Sequence, residues 1–425
     1  MTRDKSQELH KKVLFSLFIL CVCRLGSHIP IPGIDGIALQ EFTSKHQGGI
    51  LGMLDILSGG SLSRMSIFAL AIIPYITASI ITQILSFAYP SIKELQKEGE
   101  RGRKKLGQIT IAITTLIATG QAYAIATGLG HLGDIVVIQN STIFISSTII
   151  TLLTGTMSLI WLADQVGKYG LGNGSSLIIF TGIVTSIPEG TIRAFELCRT
   201  GAVDITALLF LIMAVSIVLS LIIFVEQSYR KIPIYYPKRQ MGNKLYGGEK
   251  TYLPMKINAA GVIPPIFAGT ILLSPVSVLN FTQPSTKFAQ WLLVNLGHGK
   301  PLFTLLYMAL IICMSFIYTS VSINLEDTSE NLRKHGAYVP GRRPGSNTTE
   351  FFLDVSHKLT FIGATYLCII CILPETITGK IAPSLYFSGT SVLIVVNVVL
   401  DTMTQIQTFM FNKKYESVVK KMRIK

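Results

Sequence analysis

Charged side chains are scarce. The 37 basic and 23 acidic residues are 14% of this 425-residue chain, where an average soluble domain carries roughly 25%. With 49% hydrophobic residues and a mean hydropathy of +0.52, that shortage excludes an ordinary soluble enzyme, a disordered chain and a small disulfide scaffold. Cysteine is sparse too: of six, Cys21, Cys23, Cys313, Cys368 and Cys371 fall in apolar runs and Cys198 alone in a loop, which argues against a disulfide framework. Cys368 and Cys371 have no second Cys/His pair nearby, whereas a closed zinc site needs four ligands, so no metal is expected. Phosphate loops are missing, because the order of Gly247-Gly248-Glu249-Lys250-Thr251 is wrong for one. Gly167, Gly170, Gly172 and Gly174 lack the spacing of a dinucleotide fingerprint and predict a tight interhelical turn. Inside the apolar runs the main ionisable residues are Arg24 and Asp401, without the acidic cluster of an ion-coupled carrier.

What the chain has is long apolar runs. A bilayer core takes about 20 mostly apolar residues per helix, and ten segments qualify: 13–32, 66–89, 108–128, 142–163, 173–193, 204–226, 257–280, 302–322, 357–373 and 383–411, the ninth short for a perpendicular span. The N-terminus mimics a signal peptide, with Arg3, Lys5, Lys11 and Lys12 ahead of an apolar stretch. The spans that follow favour an uncleaved first helix. All Lys and Arg fall on the side of the termini except Arg24, Lys45, Arg64, Arg193, Arg199, Lys287, Lys300 and Lys380. By the positive-inside rule both termini are cytoplasmic, and most of the net charge of +14 is topological.

Two basic loops exceed what orientation needs. Residues 227–256 carry Arg230, Lys231, Lys238, Arg239 and Lys244 beside Tyr235, Tyr236 and Tyr246; residues 323–358 carry Arg333, Lys334 and the turn Pro340-Gly341-Arg342-Arg343-Pro344-Gly345. Either these are docking surfaces or they are solvated loops near anionic lipid. Between the first two spans, 50–57 is apolar but too short to cross and is flanked by Gly48-Gly49 and Ser58-Gly59-Gly60. It reads as a re-entrant half-helix or as a packed outer loop. The second span is unusually polar, with Thr77, Ser79, Thr82, Gln83 and Ser86, residues that bond neighbouring helices or line an aqueous route.

Several stretches resemble the SecY/Sec61-alpha family, the channel-forming subunits of the Sec protein translocase, and the resemblance runs almost end to end. They are Arg24-Leu-Gly-Ser-His-Ile-Pro-Ile-Pro-Gly-Ile-Asp35, Ser58-Gly-Gly-Ser-Leu-Ser-Arg64 with Ile72-Ile-Pro-Tyr-Ile76, Lys97-Glu-Gly-Glu-Arg-Gly-Arg103, Gly170-Leu-Gly-Asn-Gly174, Asn258-Ala-Ala-Gly-Val-Ile-Pro264 and Ala337-Tyr-Val-Pro-Gly-Arg-Arg-Pro-Gly345. The resemblance implies an all-α polytopic membrane protein of ten spans in two five-helix halves, 1–203 and 204–425, related by an inverted pseudo-repeat. It implies a pore ring at Ile72, Ile76, Ile179, Ile266 and Ile394, with a sixth position at Ser175 where isoleucine is familiar. Residues 50–64, including Met53, Leu54, Ile56, Leu57, Ser58, Gly59 and Gly60, correspond to a plug. Thr77, Thr82, Gln83, Gln121, Asn258 and Thr270 fall at a lateral gate, and Lys238, Arg239, Lys244, Arg342 and Arg343 at loops that dock the SecA motor ATPase or the ribosome. SecE and SecG are the implied membrane partners; preproteins, signal sequences and lipid complete the set.

The function expected is a passive, gated conduit for polypeptides, without cofactor or catalytic group, in the bacterial inner membrane. A secondary transporter for a small solute would need charged ligands at the midplane, and a membrane-embedded enzyme would need convergent acidic or His residues at one interface. The sequence presents neither set.

Overall fold

The computed structural model describes residues 2–35, 38–39, 55, 58–130, 136–137, 140–201, 204–237, 239–241, 244–246, 250–282, 295, 300–381 and 389–423. Among them the chain is mostly helical. The elements are α1 (Thr2–Gly26), α2 (Ile73–Ala88), α3 (Pro90–Lys97), α4 (Glu100–Gly130), α5 (Ser141–Tyr169), α6 (Gly174–Arg199), α7 (Ile205–Glu226), α8 (Ile263–Thr282), α9 (Pro301–Ser322), α10 (Leu325–Lys334), α11 (Ser346–Ile381) and α12 (Gly389–Arg423). Four strands, β1 (Tyr229–Tyr235), β2 (Arg239–Met241), β3 (Lys244–Tyr246) and β4 (Lys250–Lys256), interrupt them.

Seven helices among the described residues are long and apolar enough to cross a membrane, and α2 and α8 contribute shorter apolar stretches, Ile73–Ser86 and Ile263–Leu272. The chain is a multi-pass membrane protein. Leu116 and Phe224 are 75% exposed on such helices, a cost of burial forgone that lipid removes and water would not.

Several boundaries differ from the hydropathy reading. The second span does not begin at Ser66. Backbone from Gly59 to Ile72 runs as successive turns, and the helix starts at Ile73 with Pro74 in its first turn. Ala71 at φ +50 is the reason, since a left-handed residue cannot continue a right-handed helix. A bridge between Pro30 and Ser66, with Ile31 N–H donating to the Met65 carbonyl, ties this segment to the end of α1. The ninth span is not short, because α11 begins at Ser346, where the sequence is still polar. Nor is the fold wholly helical: β1 and β4 form an antiparallel ladder from Tyr229↔Lys256 to Tyr235↔Lys250, and β2 and β3 pair beyond it. Pro233 and Pro254 mask this ladder in the sequence, each removing a donor, but Ile232 and Ile234 alternate inward as a half-buried strand requires.

Buried apolar side chains form four clusters. One is built wholly from residues between Ile31 and Leu153, around α4 and α5. A second is built wholly from residues between Val218 and Leu400, on α7, α8, α9, α11 and α12. A third joins the two parts, packing α1, α5 and α6 against Ile394 and Val398 of α12. The fourth lies beneath the basic loops, where Ile232, Met255, Leu325, Val339, Phe352 and Val355 give them a core of their own. Besides the α6–α12 contact, α8 packs on α2 and α4, and α9 touches α2, so the two parts also meet along a second seam.

The turn between α5 and α6 is the tight one expected from its glycines. Asn173 caps α6 by accepting from Ser175 N–H at 3.2 Å, and Gly172 takes φ +85. Gly172 N–H donates to Gln405 on α12, Leu171 N–H to Ser16 on α1, and Lys12 stands over the Phe409 ring at 4.9 Å. The first and last helices therefore have these ends together, with the α5–α6 turn between them.

Candidate functional site

A cavity lies where the two parts meet. Its lining includes Ile72, Ile76, Ile179, Ile266 and Ile394, with Leu159 and Ile178 beside them and Thr181 and Thr270 among its polar residues. The five isoleucines come from the start of α2 and from α6, α8 and α12 and belong to one apolar cluster. Ile72 is 0% and Ile394 3% exposed, while Ile76, Ile179 and Ile266 are half-buried, so the first two are held by packing and the other three can face the open space. Ile72 owes its direction to Ala71, whose positive φ turns the chain into the cavity immediately before α2. Ser175 is not in the cavity lining. It lies one turn before Ile179, where its hydroxyl donates to Asn173 Oδ1 at 2.8 Å as part of the helix cap.

Ser58, Ser61 and Arg24 line the same cavity at the end of α1. Arg24 is no lipid-facing charge: its Nη1 donates to the Gly59 carbonyl at 3.0 Å. Arg64 Nη1 donates to His28 Nε2 at 2.7 Å, which fixes His28 as the acceptor there and leaves Nδ1 to donate to the Arg24 carbonyl at 2.9 Å. The Ser58–Ser63 knot is closed by Asp55, whose Oδ1 accepts from Ser63 N–H at 2.7 Å and whose carbonyl accepts from Gly60 N–H. Burial pushes the Asp55 carboxyl up from its ordinary value, opposed by the Ser63 hydrogen bonds and the nearby Arg64 charge. Met53, Leu54, Ile56 and Leu57 lie outside the described residues.

Gly59 permits the close approach. It sits at φ +68, and a Cβ there would come within 2.5 Å of Arg24 Nη1 and 2.7 Å of the Gly182 backbone on α6. The arginine tip can swing away; the α6 backbone cannot. Gly59→Ala is therefore expected to unseat this knot, since left-handed strain alone costs about 1–2 kcal/mol. A cysteine at Ser61, 2% exposed in the parent, should then react about tenfold faster with a water-soluble maleimide. An unchanged rate contradicts the seat described here.

The polar residues of the second span divide between two neighbours. Thr82 and Thr110 of α4 share a 3.1 Å hydrogen bond, both hydroxyls being buried. Gln83 lines a smaller apolar pocket with Ile80 and Ile84 of α2, Ile263, Pro264 and Phe267 of α8, and Met314, Ile317 and Tyr318 of α9. Thr77 is half-buried, its hydroxyl donating to the Ile73 carbonyl; that of Thr270 donates to Phe267 O. Asn258 does not reach Thr82: it is 3% exposed, and its Nδ2 donates to Glu226 Oε1 at 2.7 Å. Gln121 is half-buried on α4.

The two basic loops are one body, a joining the sequence did not signal. Tyr235 of β1 and Tyr338 of the second loop exchange backbone hydrogen bonds at 2.9 and 3.0 Å. Their rings stack at 6.0 Å, with Lys250 Nζ over the Tyr235 ring. At the tip, Arg343 is exposed and, among the described residues, only its carbonyl is engaged, accepting from Thr348 Oγ1. Arg342 is occupied differently, its guanidinium lying over the Phe351 ring at 5.2 Å, a cation–π contact that braces the tip against α11. Arg239 and Lys244 lie in β2 and β3; Lys238 is outside the described residues.

Comparison with known proteins finds a family model, relatives similar over the whole chain and solved structures of the same fold. Residues 66–403 match the SecY family model. The protein translocase subunit SecY of Rickettsia bellii (strain RML369-C) is 50% identical over 428 residues, covering 100% of this chain and 99% of that protein. The fold is that of a SecY structure whose plug domain stabilises the closed state of the translocation channel and maintains a membrane seal (TM-score 0.67, 18% identity, 95% of this chain and 92% of that one). Sec61 in the canine ribosome–channel complex is also similar (TM-score 0.64, 16% identity, 95% and 93% covered). The chain belongs to the SecY family.

Proposed function

We propose that this chain is the central pore subunit of a protein translocase, passing unfolded polypeptides across the bacterial inner membrane and releasing hydrophobic segments sideways into lipid. The observation that carries this reading is the convergence of five isoleucines, from elements up to 322 positions apart in sequence, on one cavity between the two parts of the molecule. Aliphatic side chains closing a narrow waist disfavour a continuous water column, so ions meet a dewetted barrier. The same contacts are non-directional, and an extended chain can part them without breaking specific hydrogen bonds. The site is a gasket and its work is not catalysis; no cofactor enters the reading.

In this reading ten spans form two five-helix halves, 1–203 and 204–425, related by an inverted pseudo-repeat, with both termini and the basic loops in the cytoplasm. The Ser58–Ser63 knot belongs to a plug, residues 50–64, that closes the cavity and is held by Arg24. The seam of α2 with α8 and α9 is the lateral gate, where Thr77, Thr82, Gln83, Gln121 and Thr270 give a signal sequence a mixed surface to replace. An apolar segment leaving through it gains about 25 cal/mol for each Å² withdrawn from water. The joined basic loops are the docking platform for the SecA motor ATPase or the ribosome, with Arg343, Arg239, Lys244 and Lys238 as contact points, and SecE and SecG complete the complex. Ser175 borders the pore as a helix cap, and Arg342 shapes the platform from behind.

The chain reconstituted with SecE and SecG should protect a preprotein from external protease only when SecA and ATP are supplied. Protection that needs no motor, or none in a well-folded complex, contradicts the reading.

A further inference from the structure

Among the described residues one charged side chain is buried below a tenth of its surface: Glu226, 7% exposed, the last residue of α7. A buried carboxylate is costly unless it is hydrogen-bonded. Here Asn258 supplies the bond from the other side of the loop, 32 residues on, at 2.7 Å. Asn258 is also the organiser of the turn that starts α8. Its Oδ1 accepts from Gly261 N–H at 3.1 Å, its Nδ2 also approaches the Gly261 carbonyl at 3.2 Å, and Gly261 adopts φ +63.

This pair stands at a junction. On one side the β1–β4 ladder begins at once, Ile257 N–H donating to Ser228 O and Tyr229 pairing with Lys256, and its far end is bonded to the second loop at Tyr338. On the other side α8 runs to Ile266 and Thr270 in the cavity and to Ile263 and Phe267 in the seam pocket. The Glu226–Asn258 contact therefore lies between the joined loops and α8.

A third group completes the arrangement. Tyr366 of α11 is 8% exposed, its hydroxyl has no hydrogen-bond partner among the described residues, and the side chain packs in one apolar cluster with Ile222 and Val225 in the last turns of α7, just before Glu226. Gly363, one turn earlier, lets α11 press against Asn258: a Cβ there would be 2.9 Å from the Ile257 carbonyl and 3.4 Å from Asn258 Cα. A buried hydroxyl left without a partner is unfavourable, and this donor sits on the helix that presses against Asn258, the residue whose amide holds the Glu226 carboxyl.

We infer that Glu226 is a positioning residue of the lateral seam, holding the first turn of α8 through Asn258 when the seam is closed and taking the Tyr366 hydroxyl instead when α8 moves away. The inference rests on the channel reading above and adds to it the joint between platform and gate. Exchanging donors keeps the carboxylate paired in both arrangements, which makes the joint two-state rather than a spring.

The two partners predict opposite effects. In the full complex, on a background lacking the native cysteines, residues Ile80 and Ile263 replaced by cysteine report the α2–α8 distance through a short bifunctional crosslinker. Glu226→Gln, which keeps shape but replaces a charge-assisted bond by a neutral one, should slow resting crosslinking about three- to tenfold. Tyr366→Phe removes the alternative donor and should speed crosslinking, or make it resistant to a bound signal peptide, while the folded yield holds because that hydroxyl bonds none of the described residues at rest. A merely structural role moves both variants in the same direction. Same-direction changes, or no change in either variant, overturn the inference. Preprotein transport by the parent is measured separately, so its absence would count against the channel reading and not against the joint.

Discussion

Replacing Ile76, Ile179 and Ile266 together with serine is expected to raise the ion conductance of the resting complex in planar bilayers by about tenfold or more. These are the three cavity isoleucines that are only half-buried, so their exchange wets the waist without hollowing the packed cluster beneath Ile72 and Ile394. Burying an isoleucine is worth roughly 1.5–3 kcal/mol against leaving it exposed. Even a fraction of that at each of three positions exceeds the 1.4 kcal/mol that makes a factor of ten. Replacing Ile72 and Ile394 instead should mainly cost stability, about 2–5 kcal/mol for each large-to-small change in a filled core, and thermal unfolding of the two sets separates the effects.

Arg343→Glu is expected to lower motor-coupled transport by about thirtyfold or more while leaving folding unchanged. The side chain is exposed, and among the described residues only the Arg343 carbonyl is bonded, so charge reversal alters what a partner meets and leaves that bond in place. Arginine anchors at interfaces cost about 2 kcal/mol or more when truncated, and reversal adds repulsion. Arg342→Gln should act differently. It removes the guanidinium from the Phe351 ring and loosens the tip, with a several-fold effect that a second cation at 342 restores only in part, because lysine lacks the planar stacking surface. Equal losses from the two changes, measured as motor ATPase stimulation, contradict the separate roles given to these neighbours.

Hydropathy carried most of the fold because membrane spans are the one element whose length and composition solvent alone dictates. It failed where something other than lipid set a boundary. The start of α2 is delayed by the left-handed Ala71, and a positive φ at alanine leaves no trace in a sequence. The start of α11 is hidden because residues 346–358 are polar on the surface yet pack Phe352 and Val355 into the core beneath the loops. The ladder in the first loop escaped because two prolines and many cations read as coil, although Ile232 and Ile234 keep a period of two.

The site was less legible still. Isoleucine on a membrane helix ordinarily means packing, and nothing in the spacing of Ile72, Ile179, Ile266 and Ile394 marks them as neighbours; the family resemblance named them. Asn258 drew attention as a polar residue in a matched stretch, but its bond to Glu226 spans 32 positions and has no periodic signature. Tyr235 and Tyr338 are likewise ordinary aromatics of two loops until the backbone pairs them. Arg24 was visible as a charge in an apolar run, but its bond to the Gly59 carbonyl, 35 positions on, was not.

The most direct measurement of the central claim places a photo-crosslinker along a preprotein stalled in transit and maps its adducts. Passage through the waist predicts adducts at Ile72, Ile76, Ile179, Ile266 and Ile394 from the portion of substrate inside the membrane. Adducts confined to outward-facing positions such as Leu116 and Phe224, with none on those five isoleucines, would contradict it.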